Sequence, residues 1–354
     1  MSAREEAPER GRAGGARLRW RDPRAALGLA VTLLFVWLSL RGVPFEEVGR
    51  AIASARLGVL LAWSVPSYFV LVWVRALRWR HLTDPIRPLP NGPLSRATAV
   101  GFMVNNLFPL RMGEVVRCWY LSRETGISAA ATFGTVILER VIDTLAVIAM
   151  VLLVVPLRAH ASDAGLTRGA LFLVPVAVLP ILFLWGLRAR PAQVLRLVRA
   201  CARPFPARLG ARAERMLGRF AGGLGALRGG RHLLWIAWHT LVIWLVISVV
   251  PILAAFAALG IHLSSAWQDL VAAWTTQAAI GVAVALPSSP GFFGLFHYAC
   301  RVALVRSGVA LDTAVAAGTL IHSVMWLTLT AMGLCVLRWR RTTLSDVEGA
   351  SADA

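Results

Sequence analysis

Lysine is absent from this 354-residue chain, so all 37 of its basic side chains are arginines. Charge of either sign is scarce, because charged residues make up 16% of the chain, whereas soluble domains carry roughly 25%. Acidic residues number only 18, which leaves a formal net charge of +19. Apolar residues account for 57% of the sequence. This composition excludes an ordinary soluble domain and indicates a membrane protein.

Cysteines and catalytic motifs are scarce as well. The four cysteines are Cys118, Cys201, Cys300 and Cys335. They have no paired or metal-type spacing, and we predict that they are small buried side chains. We find no nucleotide-binding loop, zinc motif or nucleophile elbow, and the glycine-rich stretch 222–225 follows no strand. We therefore expect no cofactor, no metal ion and no enzymatic activity.

Long apolar runs are what the sequence has in abundance. Several are long enough to cross about 30 Å of hydrocarbon. We expect the first run, 25–40, to be a membrane span and not a cleaved signal peptide. The arginines cluster at 4–24, at 188–231 and at 338–341, beside these runs. The positive-inside rule therefore places all three clusters in the cytoplasm. Nucleic-acid binding is the rival explanation of so basic a chain, and the position of the arginines disfavours it.

These features predict six membrane spans with both termini in the cytoplasm. The spans are predicted at about 25–40, 57–79, 128–157, 169–187, 233–259 and 311–337. Residues 1–24 would form a basic tail, 25–340 the membrane domain and 341–354 a short second tail. The second span ends in three arginines, Arg75, Arg78 and Arg80, which we assign to the cytoplasmic boundary. Within the domain, arginines alternate with apolar residues over 188–231. This pattern predicts amphipathic helices that lie on an anionic leaflet, and the alternative is an ordinary solvated loop.

Two further apolar segments are interrupted by proline and glycine. The residues that shape these breaks are Pro109 and Gly113 in the first, and Pro287, Pro290, Gly291 and Gly294 in the second. The count of spans makes each segment begin and end on one side, so both are predicted to be re-entrant hairpins, at about 95–122 and 266–305. They would enter from opposite faces, and the similar stretches 134–137 and 318–321 that follow them support an inverted repeat. The fold class is therefore an all-α polytopic membrane protein with about six spans and two re-entrant hairpins, a pattern typical of transport sites.

Charged residues inside the third span are the first candidates for a substrate site. Glu139, Arg140 and Asp143 share one helix face. Each would cost roughly 2.5–3.5 kcal/mol at the centre of a lipid-facing helix, so they must face the interior. They are either an internal ion pair that staples helices together or a polar wall of a substrate path.

The first break supplies a second group of candidates. Asn105 and Asn106 precede it, Arg111 lies within it, and Glu114 and Arg117 follow on the resumed helix. An arginine beside free backbone N–H groups suits a phosphate. The alternative is that the break only makes a turn and that Arg111 extends to the lipid headgroups.

The second break supplies hydroxyl groups and histidines. Ser288 and Ser289 lie in the break, His297 lies one helical turn beyond it, and His322 lies in the last span. A lone histidine in a membrane is more often a hydrogen-bonded core residue than a proton carrier, and we leave both alternatives open here.

Together, the blocks Asn105 to Arg117, Glu139 to Asp143 and Pro287 to Gly294 resemble the membrane domain of lysylphosphatidylglycerol synthase/flippase proteins, over about 25–340. The resemblance implies a bacterial inner-membrane protein that moves or handles lipids, with the hairpins forming the pocket. Aminoacyl transfer is not expected, because only 342–354 follow the last span. Two positions depart from the family pattern, at Phe296-His297 and at His322.

The leading interpretation is a flippase-like transporter of an amphiphile with a phosphate headgroup. The partners would be anionic phospholipids of the cytoplasmic leaflet, with no nucleic acid and an oligomer possible. One alternative is a non-transporting scaffold of a lipid or envelope pathway. Another is an intramembrane headgroup transferase with Glu114 or Glu139 as the base.

Overall fold

A computed structural model describes residues 33–108, 111–158, 190, 192–194, 196, 200, 230–285, 290–344 and 346. Several predicted features lie outside these residues. They are the tail 1–24, the fourth span 169–187, most of the segment 188–231 and of the tail 341–354, and the break residues Pro109, Pro287, Ser288 and Ser289. The first predicted span, 25–40, is described only from residue 33 onward.

Every regular element in the described ranges is helical. The first half contains α1 at 33–40, α2 Phe45–Ser54, α3 Leu57–Thr83, α4 Asn91–Leu107, α5 Gly113–Thr125 and α6 Ala129–Arg158. The second half contains α7 Gly230–Leu241, a π-helical turn Val242–Val246, a 3₁₀ turn Ile247–Val249, α8 Val250–Leu259, α9 Ala266–Ala285, a 3₁₀ turn Pro290–Phe292, α10 Leu295–Arg306 and α11 Leu311–Trp339.

Four stretches in the described part of the chain are long and apolar enough to cross a membrane. They are Leu57–Thr83, Ala129–Leu157, Arg231–Leu259 and Leu311–Trp339. Their positions match the second, third, fifth and sixth predicted spans. At 1.5 Å per residue, 27 to 29 residues exceed the thickness of the hydrocarbon core. The third stretch joins α7 and α8 through the π-helical and 3₁₀ turns.

Helices α4 and α5 form a tight antiparallel hairpin around the first break. Near the break, the Gly113 backbone N–H donates to Asn105 Oδ1 at 2.9 Å. At the opposite end, Arg96 pairs with Glu124. A Cβ atom on Gly113 would lie 2.0 Å from the carbonyl oxygen of Gly101, so glycine is required for the arms to approach this closely. Helices α4 and α5 therefore pack as a helical hairpin, and its re-entrant course in the membrane stays a prediction.

The second hairpin, α9 and α10, begins and ends at the opposite end of the molecule. Arg56, before α3, donates to the carbonyl oxygens of Ala257 and Ala258, so the start of α3 lies beside the end of α8, where α9 follows. The base of the first hairpin lies at the other end of α3, where Arg87 donates to the Thr125 carbonyl oxygen at 2.8 Å. The bases of the two helix pairs therefore lie at opposite ends of α3, and entry from opposite membrane faces in an inverted repeat stays a prediction.

The packing between the two halves is reciprocal. Helix α4 packs against α11, and α9 packs against α6, so the first arm of each hairpin contacts the last long helix of the other half. Each contact passes over a glycine: a Cβ on Gly333 would lie 2.3 Å from Met103 Cβ, and a Cβ on Gly281 would lie 2.8 Å from Val147 Cγ2. Small residues at both crossings let the backbones approach closely, as is common in membranes.

The surface of the bundle exposes many large apolar side chains, among them Trp63, Trp73 and Leu327, which suits contact with hydrocarbon. Cys118 and Cys300 are buried, as predicted. The prediction is wrong for Cys335, which lies on the exposed face of α11. A small apolar residue is equally stable against lipid, so apolar context alone does not indicate burial in protein.

The glycine contact within the first hairpin gives a stability prediction. Gly113→Ala should destabilise the protein by about 1–3 kcal/mol, because the new methyl group overlaps the Gly101 carbonyl. Gly58→Ala is the matched control, since nothing lies within 4 Å of the added Cβ at that helical position. Thermal unfolding in detergent should show a lower melting temperature for Gly113→Ala only. Equal melting of the two variants would contradict the close approach of the arms.

The opposite direction of the two hairpins gives a labelling prediction. In a variant without native cysteines, Ser128→Cys and Ala310→Cys each place one thiol in an exposed loop, after the first and second hairpin respectively. A membrane-impermeant maleimide should label Ala310→Cys on intact cells, and Ser128→Cys only after permeabilisation. Labelling of both positions from one side would rule out hairpins that enter from opposite faces.

Candidate functional site

Arg111 at the first break and Phe292 just after the second lie close together. The guanidinium carbon of Arg111 lies 5.9 Å from the ring centroid of Phe292, a cation–π distance. Both residues adopt positive φ angles, 56° and 61°, which non-glycine residues rarely do. Gly291, with φ 67°, precedes Phe292 in the same turn. Strained backbone of this kind is concentrated at ligand sites and switch regions, and it marks this contact as the place to look for function.

Helix α11 holds both tips in place. On the first hairpin, Asn106 Nδ2 donates to Thr330 Oγ1 at 3.0 Å and to the Trp326 carbonyl oxygen at 3.3 Å. On the second, His322 Nε2 lies 2.7 Å from the Gly291 carbonyl oxygen. A change in the position of α11 would therefore move both tips.

A cavity of about 500 Å³ lies beside the contact between the tips. Most of its wall is apolar. The apolar lining includes Tyr68, Leu71, Phe102, Val147, Trp244, Ile280, Phe292, Phe296 and Met325. The charged and amide residues of the lining are Arg75, Asn105, Asn106, Arg111, Glu114, Arg140, Asp143 and Gln277. The cavity is therefore amphipathic, with an apolar wall and a group of ionised side chains.

The carboxylate of Glu139 lies behind this charged group and is completely buried. It accepts from Arg78 at 3.1 Å, from Arg117 at 2.7 Å and from Arg140 at 3.0 Å. The Arg117 guanidinium also lies 4.5 Å from the centroid of the Trp79 ring. Three arginines thus compensate the cost of burying one carboxylate.

Glu139 and Asp143 are the two carboxylates of one ionic network, whose arginines are Arg75, Arg78, Arg117 and Arg140. Asp143 faces the cavity. Its oxygens lie 2.7 Å from Arg78, 3.2 Å from Arg75 and 2.9 Å from Arg140. The indole Nε1 of Trp244 also donates to it, at 3.2 Å. The fully buried Arg78 bonds both carboxylates and so ties α3 to α6 at the centre of the bundle.

Positive charge exceeds negative charge in this region. The ionic network and its neighbours Arg111 and Glu114 contain five guanidinium groups and three carboxylates, an excess of two positive charges. Arg111 is only 3.7 Å from Glu114 and makes no hydrogen bond to it. The Nε atoms of Arg75, Arg111 and Arg140 are buried, and no described residue supplies them with an acceptor. Unsatisfied cationic donors beside an apolar cavity suit a bound anion.

The base of the first hairpin carries a separate ion-pair group. The Glu124 carboxylate accepts from Arg96 on α4 and from Arg340 at the end of α11. Burial opposes ionisation, but the hydrogen bonds and charges of these two arginines outweigh it and lower the pKa of Glu124 below its ordinary value. This group joins α11 to the hairpin far from the cavity.

The structure distributes the predicted site residues among three places. Asn105, Asn106, Arg111, Glu114, Arg140 and Asp143 line the cavity, whereas Arg117 and Glu139 lie behind it in the ionic network. His297 and His322 do not line the cavity, and they pack together behind the second tip with ring centroids 4.7 Å apart. Ser288 and Ser289 lie outside the described residues. Asn105 serves the hairpin itself, through its bond to Gly113.

The residues predicted to shape the hairpins are found at tight positions. Gly113 lies at the crossing of the first hairpin, and Pro290 and Gly291 form the 3₁₀ turn of the second. Gly294 has φ 81°, and a Cβ there would lie 2.8 Å from the backbone nitrogen of Val36 in α1. Pro109 and Pro287 are outside the described residues.

Arg75 and Arg78 are site residues that the sequence pattern did not predict. The positive-inside rule assigned them to the cytoplasmic end of the second span, but Arg75 lines the cavity and Arg78 is fully buried. Their spacing was a usable signal, because Arg75, Arg78 and Trp79 fall on one helix face. A purely interfacial arginine cluster would not need to share a face.

The ionic network gives a prediction for stability. Glu139→Gln keeps the shape of the side chain but removes the carboxylate that pairs with Arg117, and it leaves Arg78 with Asp143 as its remaining carboxylate partner. Loss of one member of a buried ion pair costs about 3–5 kcal/mol. Thermal unfolding in detergent should therefore show a large drop in melting temperature, and the exposed Glu46→Gln in α2 is the control. If the two variants unfold alike, the network does not stabilise the bundle.

Comparison with known proteins supports a lipid-related role. Searches of curated proteins and of solved structures found no match. A family model described as the lysylphosphatidylglycerol synthase TM region matches residues 25–333, which include both hairpins, the ionic network and the lining of the cavity. Because this match covers most of the chain, the protein belongs to the lysylphosphatidylglycerol synthase transmembrane-region family.

Proposed function

We propose that this protein is a flippase-like transporter that moves an amphiphile with an anionic phosphate headgroup across the membrane. The observation that carries the proposal is the amphipathic cavity, which places an excess of positive charge beside an apolar wall where two opposed hairpins meet. Family membership supports a membrane protein with a lipid-related role.

The headgroup would bind at the charged lining of the cavity. Arg75, Arg111 and Arg140 line it, and guanidinium groups bind phosphate oxygens in a two-pronged geometry. The two carboxylates of the ionic network are already bonded to arginines. An anionic headgroup therefore fits this lining better than a cationic one.

The acyl chains would leave the cavity between α6 and α9. Thr144 on α6 and Val282 and Ala285 on α9 line the cavity, and all three are also exposed at the protein surface. An opening at this position lets apolar chains stay in the bilayer while the polar headgroup is enclosed. This division suits a flippase, because only the headgroup needs shelter from hydrocarbon.

Movement would come from the two halves of the inverted repeat. Rocking of one repeat against the other exposes a central site alternately to the two sides. The contact between Arg111 and Phe292 would act as the gate, because both residues hold strained backbone that a second arrangement can release. We place the protein in a bacterial inner membrane with both termini in the cytoplasm, and the mechanism includes no catalytic step.

Arg111 gives the functional prediction. In vesicles that contain fluorescent phosphatidylglycerol, the protein should expose inner-leaflet label to an impermeant quencher faster than protein-free vesicles do. The assay is run with and without a proton gradient. Arg111→Ala should slow the exposure roughly tenfold or more, since a charge-assisted hydrogen bond contributes about 1.5–3 kcal/mol. Arg111→Lys should retain part of the rate, because lysine keeps the charge but loses the two-pronged geometry.

The matched control is Arg50→Lys, which changes an exposed arginine on α2 outside the cavity and should leave the rate unchanged. Binding of the labelled lipid without any movement across the bilayer would favour a scaffold instead. Formation of a chemically altered lipid would favour a headgroup transferase.

A further inference from the structure

A second cluster of polar side chains lies where α3 ends and α7 begins. His81 and Asp84 come from the end of α3, and His232 and His239 come from α7. They line a pocket of about 480 Å³ that shares no lining residue with the cavity between the hairpins. The mechanism proposed above does not use this pocket.

The cluster brings together three side chains of the types that bind metal ions. One ligand atom from each of His81, Asp84 and His232 can be chosen so that all three lie within 4.8 Å of one another. His81 Nδ1 is 4.0 Å from Asp84 Oδ2, too far for a hydrogen bond. The Nδ1 atoms of His81 and His232 are both buried without a hydrogen-bond partner. Buried imidazole nitrogens normally have a partner, and here none is supplied by the described residues.

We propose that His81, Asp84 and His232 bind a divalent transition-metal cation of the zinc class. Two imidazole nitrogens and one carboxylate oxygen are a ligand set that zinc accepts, whereas calcium and magnesium require mainly oxygen. Ligand atoms on one tetrahedral zinc are roughly 3.3 Å apart. The three side chains must therefore close by about 1.5 Å at most from their 4.8 Å limit, which side-chain rotation can supply.

His239 lies beside these three side chains but outside the set whose ligand atoms lie within 4.8 Å of one another, so it would have to rotate to act as a fourth ligand. Its ring centroid lies 5.5 Å from that of His81, and its Nδ1 lies 2.6 Å from the carbonyl oxygen of Trp235. A histidine that binds metal through one nitrogen usually bonds a carbonyl oxygen through the other. This arrangement leaves Nε2 of His239 to coordinate the ion.

Two arginines, Arg80 and Arg231, also line the pocket and repel a cation. Affinity must therefore come from coordination by neutral imidazoles and the Asp84 carboxylate, not from the overall field. A bound ion would join the end of α3 to the start of α7. It would thereby tie the first half of the repeat to the second, beside the predicted arginine-rich segment.

The test is a zinc titration of the purified full-length chain, with a fluorescent chelator as competitor. The chain is purified through an affinity tag that contains no histidine. The protein should bind one Zn²⁺ per chain and should not bind Mg²⁺ or Ca²⁺ at the same concentration. His81→Ala and His232→Ala should each weaken zinc binding by about tenfold or more. The control is His262→Ala, which removes an exposed histidine at the other end of the molecule and should bind zinc normally.

Cobalt substitution gives an independent readout, because Co²⁺ in a tetrahedral site with nitrogen ligands absorbs visible light. If His81→Ala does not fold, zinc binding is measured on His232→Gln instead, which removes a proposed ligand on α7 and should weaken binding in the same way. The proposal is overturned if zinc binding is absent, exceeds one ion per chain without a distinct tight site, or is unchanged by the substitutions at both positions. Zinc binding and lipid movement are measured separately, so failure of either proposal can be told from failure of the other.

Discussion

Arg78 bridges the carboxylates of Glu139 and Asp143 at the centre of the bundle, and the arrangement of the other elements depends on this fully buried contact. A buried ion pair is weakly stabilising as a whole but strongly destabilising when one partner is lost. Each member therefore holds the others in register. Helices α3, α5 and α6 contribute to the network, so the first hairpin cannot shift along the two long helices without leaving charge uncompensated inside the membrane.

The two hairpins depend on a second constraint, which is how closely backbones can approach. Glycines lie at the crossing within the first hairpin and at both crossings between a hairpin and the long helix of the other half. In hydrocarbon, close van der Waals packing is a main force between helices, and a methyl group at such a crossing would separate them. Close packing in turn forces Arg111 and Phe292 together with positive φ angles. The strain at the tips is thus supported by well-packed helices elsewhere.

The ionic network and the cavity share residues but differ in what their charges face. Glu139 and Arg78 are enclosed by protein and serve the fold, whereas Arg75, Arg111, Arg140 and Asp143 line open space. A single cluster can therefore stabilise the bundle and still present an excess of positive charge to a ligand. The histidine pocket at the end of α3 has a different chemistry, since three imidazoles and one carboxylate lie there beside two arginines. The two proposed sites would therefore prefer different ligands.

The sequence by itself determined the membrane class, four spans in the described part of the chain and both breaks, because hydropathy and proline or glycine interruptions act locally. It also predicted that Glu139, Arg140 and Asp143 face inward, since charge in lipid is costly wherever it occurs. Only the tertiary structure decided which arginines form ion pairs with those carboxylates. Arg75 and Arg78 look interfacial in sequence, and His81 and His232 look unrelated, until the antiparallel packing of α3 with α6 and α7 brings them together. Ion pairing and metal coordination act over a few ångströms in space, and separation along the chain carries no information about that distance.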